Sequence, residues 1–179
     1  MAKIVATMPD VGNPSSEPPR REPVPPGDYV VMLVGVKDGF KEGVTPPIAT
    51  VTLEFQILHQ ILADATIDEK LKGRRVWQQY VCAEDPSVDS GINALRGYEL
   101  KQMIAATRTP HEILGPNSIS FDSDDIMKNA PTLKITVVNK TKTFDDGVEM
   151  DGKKKTKERT FSNVQRIDTA ETPDPDALV

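Results

Sequence analysis

In Asp28 to Val36 and again in Thr50 to Leu58, apolar and polar side chains alternate with a period of two. Tyr29, Val31 and Leu33, followed by the small Gly35, fall on one side of Asp28 to Val36. In Thr50 to Leu58, Val51, Leu53, Phe55 and Ile57 point one way while Thr52, Glu54 and Gln56 point the other. Successive side chains of a strand face opposite ways, so both segments predict strands with one face in a core and one in water. Pro26-Gly27-Asp28 opens the first as a turn signal and Asp38-Gly39 closes it. Arg74 to Cys82 also alternates, with Val76, Gln78, Tyr80 and Cys82 opposite Trp77, Gln79 and Val81, so neither of its faces is purely apolar. That mixed strand is a candidate binding surface, on which Arg75, Trp77 and Gln79 share one face.

A fourth strand is expected over Thr132 to Lys140, where Leu133, Ile135 and Val137 alternate with Lys134, Thr136 and Val138. A fifth is expected over Arg159 to Asp168, which holds Phe161, Val164 and Ile167. The charged stretch Thr141 to Glu158 between them reads as the mobile basic tip of a hairpin. From Ser90 to Thr107 the period changes to that of a helix, with Ser90 as cap and Leu95, Tyr98, Leu100, Met103 and Ile104 recurring before Pro110 forbids continuation. A short second helix is expected after a Ser123 cap, using Ile126 and Met127. The fold class is therefore mainly β, a five-stranded OB-like Greek-key barrel with one or two inserted helices and extended termini. A helix between the third and fourth strands is a usual insertion there. A small β-sandwich uses the same ingredients.

Three regions follow. Seven prolines between Pro9 and Pro26 leave residues 1–26 as a proline-rich arm that builds neither ladder nor helix. Residues 27–168 form the OB-like β domain, and residues 169–179, with Pro173 and Pro175 among acids, form an acidic tail. A chain of 179 residues, 37% hydrophobic, has room for one compact core. The net charge of −5 argues against a generally basic surface, yet charge is segregated. Thr132 to Arg166 carries nine Lys or Arg against five Asp or Glu, whereas Asp168 to Val179 carries four acids and no base. Cys82 is the only cysteine, so neither an internal disulfide nor a thiolate metal site is expected. No apolar run approaches the ~20 residues of a bilayer span, and only Lys3 precedes a short apolar patch at the N-terminus. The chain is expected to be soluble and intracellular.

Catalytic patterns are missing. His59 borders an apolar strand end and His111 follows Pro110, positions that suit structural or surface histidines, and neither sits beside a nucleophile in sequence. The acids at Asp122, Asp124, Asp125, Asp145 and Asp146 lack the spacing of a calcium loop and fit a helix start and a solvated turn. There is no P-loop, GxSxG or Gly-rich dinucleotide turn, so no enzyme, cofactor or metal is expected. Binding an unpaired nucleic-acid strand needs cations to replace phosphate counterions and exposed rings on which bases stack. Both types occur together here. Lys70, Lys72, Arg74 and Arg75 run directly into Trp77 and Tyr80, and Lys153, Lys154, Lys155, Lys157 and Arg159 lie next to Phe161. Trp77, Tyr80 and Phe161 are the expected stacking residues. Lys72, Arg74, Arg75, Lys134, Lys153, Lys154 and Lys155 are expected to track phosphates. The competing expectation is that Trp77 fills the core and the arginines form a solvated edge.

The order of these segments resembles a known family. Pro25-Pro26-Gly27-Asp28-Tyr29 opens a strand, Leu53 to Ile57 reads Leu-Glu-Phe-Gln-Ile, Leu71 to Trp77 reads Leu-Lys-Gly-Arg-Arg-Val-Trp, and Phe161 to Ile167 reads Phe-Ser-Asn-Val-Gln-Arg-Ile. Over Pro25 to Asp168 this is similar to phage single-stranded-DNA-binding proteins of the OB-fold type, some of whose relatives are phage families of unknown function. The blocks Gly73 to Trp77 and Asn163 to Ile167 carry the resemblance. The chain departs from the pattern in its long Asp64 to Lys72 connection, its proline arm and an end without a terminal aromatic. The resemblance implies sequence-independent single-stranded DNA binding in phage replication or recombination, in the host cytoplasm. Replication or recombination proteins would then dock on the acidic tail. The alternative is a phage virion structural protein, a capsid decoration or cement protein whose arms lace subunits together.

Overall fold

Among the residues described, alternating patterns become strands: β1 (Gly27–Lys41), β2 (Ile48–Ile61), β3 (Ile67–Asp68), β4 (Arg75–Val81), β5 (His111–Gly115), β6 (Ser118–Phe121), β7 (Leu133–Val148) and β8 (Lys154–Thr169). Two helices, α1 (Ser90–Thr107) and α2 (Ser123–Asn129), interrupt them. The structure, a computed structural model, describes residues 22–41, 43, 45, 47–82, 90–115, 118–148 and 154–170, with only the backbone of 90–96, 118, 146, 148, 154 and 155. The distal arm (1–21), the acidic end (171–179), Lys153 and the side chains of Ser90 and Leu95 therefore lie outside the described residues.

The fold is mainly β. The five expected strands correspond to β1, β2, β4, β7 and β8, and β3, β5 and β6 are two- to five-residue additions too short to show a period. The main sheet runs β3-β2-β1-β7-β8, with β4 paired to β2, and β5 and β6 form a separate hairpin. Each neighbouring pair of long strands is antiparallel. Counting directions around the sheet, its end strands β4 and β8 run parallel to each other. They meet through a side chain, where the Val164 N–H donates to Gln78 Oε1 at 3.3 Å.

The inward faces build one core. Tyr29, Val31, Leu53, Phe55, Ile57, Val76, Tyr80, Leu133, Ile135, Val137, Val164 and Ile167 are buried together with Met103 and Ile104 of α1 and Ile126 of α2. Each such large aliphatic side chain contributes about 1.5–3 kcal/mol by leaving water. One expected core position changes sides. A register shift between Leu33 and Gly35 reverses the alternation. Gly35 thus lies opposite outward-facing Glu54, where a Cβ would come within 2.9 Å of Glu54 Oε2.

The helices close the structure at defined points. Thr169 Oγ1 of β8 donates to the Ala106 carbonyl at 3.3 Å, pinning the end of α1 beside β8. The expected α2 cap is displaced by one residue: Asp122 Oδ1, not Ser123, accepts from the Asp124 N–H at 2.9 Å. A carboxylate there also suits the positive end of the helix dipole. Ser123 Oγ instead donates to Asp38 Oδ2 of β1 at 2.7 Å. No helix among the described residues is long and apolar enough to cross a membrane.

Candidate nucleic-acid interface

Residues 69–74 deliver two arginines to the start of β4. The Lys72 N–H donates to the Glu69 carbonyl and the Gly73 N–H to the Ile57 carbonyl, a turn that needs φ +83° at Gly73. Only glycine takes that backbone without strain. From there the strand alternates: Val76 and Tyr80 enter the core while Arg75, Trp77 and Gln79 face out. Trp77 is 54% exposed, so it does not fill the core. Cross-strand from this face lie Gln56, Glu54 and Thr52 of β2. Arg75 Nη1 donates to Glu54 Oε1 at 2.5 Å, a half-exposed ion pair that engages one side of the guanidinium.

The facing wall comes from the β7–β8 hairpin. Sequence reasoning ends the fourth strand at Lys140, but both strands continue, to Val148 in β7 and back from Lys154 in β8. Lys140 stands opposite Phe161, Lys142 opposite Arg159 and Phe144 opposite Lys157. Thr141 pairs with Thr160, and Thr143 with Glu158. One face of the ribbon therefore carries four cations and two rings, and the other carries hydroxyls and an acid. The rings are locked. Phe144 and Phe161 meet edge to face with centroids 6.0 Å apart. The Arg159 guanidinium lies 5.7 Å from the Phe144 centroid, a cation–π contact. Phe144 and Phe161 are each 41% exposed.

Between these walls runs a groove of about 500 Å³, lined by Arg74, Arg75, Val76 and Trp77 on one side and by Lys142, Phe144, Thr160, Phe161, Ser162 and Asn163 on the other. Glu22, Pro23 and Val24 also line it. Of the residues singled out in the sequence, the groove gathers Arg74, Arg75, Trp77 and Phe161. The sequence reading missed Lys142 and Phe144, because Asp145, Asp146 and Gly147 downstream look like a loop. The alternation Lys140, Lys142, Phe144 against Thr141, Thr143 was the signal available.

The other expected site residues are placed elsewhere. Tyr80 is not a stacking residue: three positions from Trp77, it falls on the opposite face of β4 and is only 4% exposed. Burial pushes its phenol well above the usual tyrosine range. Lys134 lies eight residues back from Lys142 along β7, about 26 Å of strand, and its ammonium sits 3.3 Å from Asp28 Oδ2. Lys72 is outside the groove lining and pairs with Glu69 at 3.5 Å. Lys154 begins β8 opposite Val148, and Lys155 follows it at the hairpin's far end. Comparisons with protein-family models, curated proteins and solved structures found no match for this chain.

Proposed function

We propose that this protein binds single-stranded DNA without sequence preference and without catalysis, laying the strand in the groove between β4 and the β7–β8 hairpin. The observation that carries this reading is the arrangement of the groove's two walls. The exposed indole of Trp77 stands on one, and the locked Phe144–Phe161 pair with Lys142 stands on the other. Bases offer a π-face whatever their identity, and stacking on an aromatic side chain is worth about 1–3 kcal/mol per base. Lys142 and its neighbours Lys140, Lys157 and Arg159 on the same ribbon face replace the counterions of successive phosphates. Ring stacking and phosphate contacts take any base, so the binding proposed from them is indifferent to sequence.

The scaffold reading is a barrel of the OB type. Following neighbours gives β4-β2-β1-β7-β8, with β4 and β8 parallel and touching through Gln78 and Val164. α1 falls between the third and fourth long strands. A five-stranded Greek-key barrel has that order, and its usual oligonucleotide surface is the face of its second and third strands with the loop joining its fourth and fifth. Here these are β2, β4 and the β7–β8 hairpin. Of the two blocks that resemble phage single-stranded-DNA-binding proteins, Arg74 to Trp77 and Asn163 line this groove, and Val164 and Ile167 lie in the core.

The test is direct binding of an unstructured oligonucleotide across a salt series, with duplex of the same length as control. Affinity for the single strand should fall linearly on a log–log plot, with about 0.7 of slope lost per phosphate contact. Absence of single-strand binding at low salt, or equal affinity for the duplex, would overturn the proposal.

A further inference from the structure

The segment just before β1 lines the groove and is pinned by three side-chain donors from three strands or their approaches. Arg74 Nη2 donates to the Glu22 carbonyl. Ser162 Oγ of β8 donates to the Val24 carbonyl at 3.1 Å. Tyr29 Oη of β1 donates to the Pro25 carbonyl at 2.8 Å. Between these points the Val24 side chain is buried, with 2% of its surface exposed. Pro23 and Pro25 have no N–H to offer a ladder and a nearly fixed φ, and residues 22–25 join neither sheet edge as a strand but form a stiff strap. It spans the gap where β4 and β8 run side by side without a ladder, at the end away from α1.

We propose that this strap is a positioning element of the binding groove: it sets Arg74 as a ready phosphate fork, with Val24 and Ser162 holding it in place. The inference rests on the single-strand reading above. The two adjacent arginines then have different jobs. Arg75 is paired with the Glu54 carboxylate. Arg74 faces a carbonyl, which fixes the plane of the guanidinium but leaves its charge and its remaining N–H groups available to the groove. An arginine held this way loses little freedom when it meets a phosphate oxygen. Arg74 also lies near enough to the Tyr29 phenol to oppose the upward shift that burial gives it. The guanidinium thus serves strap and groove from one position.

The test is a double-mutant cycle on the full chain, read as affinity for a single-stranded oligonucleotide alongside thermal unfolding. Ser162→Ala and, separately, Val24→Ala should each weaken binding about 3- to 10-fold, the worth of one oriented charged contact. In an Arg74→Ala background the same changes should add less than about twofold, because the group they position is gone. Arg74→Lys should keep the salt slope and lose the coupling, since it keeps the charge and loses the fork. Strap variants that lower the melting temperature but weaken binding equally in both backgrounds would overturn the inference alone. Failure of the unmodified chain to bind the oligonucleotide would overturn the functional reading and this inference with it.

Discussion

Trp77 and Tyr80 stand three positions apart on β4, and an odd interval on a strand separates their side chains into two environments. Trp77→Ala should weaken oligonucleotide binding by about 1–3 kcal/mol, roughly 5- to 150-fold, with most of the salt slope retained. It should change stability by no more than about 0.5 kcal/mol, as expected of an exposed position. Tyr80→Ala should do the reverse and cost about 3–5 kcal/mol of stability through the cavity it leaves. Denaturant unfolding and binding, measured on both variants, separate the two roles. Arg75, Trp77 and Gln79 were legible as one face because the period of two is strict across β4. Adding Tyr80 to them counted nearness in sequence rather than that period. Asp28 gives a second test at this scale. Its carboxylate accepts from Thr136 Oγ1 at 2.7 Å and lies 3.3 Å from the Lys134 ammonium. The Thr136 hydrogen bond first, with Lys134 assisting and partial burial opposing, holds it below the ordinary 3.8. A carboxyl with a lowered folded value adds stability that is complete above the unfolded value and vanishes as pH falls through the folded one. Asp28→Asn should therefore destabilise by about 1 kcal/mol at neutral pH, a modest figure because the pair is partly exposed. The gap between variant and parent, followed by urea unfolding, should close as the pH drops below 3.8.

The β7–β8 ribbon is the element on which the binding account depends most. Replacing Lys140, Lys142 and Arg159 together by alanine should lower the magnitude of the single-strand salt slope by about 2, at 0.7 per lost phosphate contact. Base stacking on Trp77 should survive. An unchanged slope would show that this face does not carry the phosphates. The sequence made the inner halves of both strands plain, since Leu133, Ile135 and Val137 and then Val164 and Ile167 alternate with polar neighbours into the core. The outer halves have no buried side to alternate against, so their period is written only in lysine and phenylalanine against threonine. Hydrophobicity does not register that contrast. The same reasoning covers β3, β5 and β6, which are too short to display a period. The strap at 22–25 escaped for another reason. Proline-rich composition signals the absence of ladder and helix, and packing of Val24 beneath three side-chain donors leaves no trace in composition.

At the scale of the molecule, a chain of net charge −5 concentrates cations where two sheet ends meet. β4 brings Arg74, Arg75 and Trp77 to the seam, and the hairpin brings Lys142, Phe144 and Phe161 to the other side of it. α1 covers one end of that seam and the strap the other, which leaves the groove between them as a shaped surface rather than an open edge. On a chain of net charge −5, anions without closely spaced phosphates would meet net repulsion, whereas a nucleic-acid strand laid along the proposed basic track would meet local attraction. Trp77 is the only tryptophan, so fluorescence excited at the red edge, where the three tyrosines do not absorb, reports on the groove. The decisive measurement is titration of that fluorescence with unstructured single-stranded DNA between about 50 and 200 mM salt. Quenching that saturates, with affinity falling as salt rises, is the predicted result. An indole signal that does not change while the DNA binds elsewhere, or no binding at the lowest salt, would contradict the account.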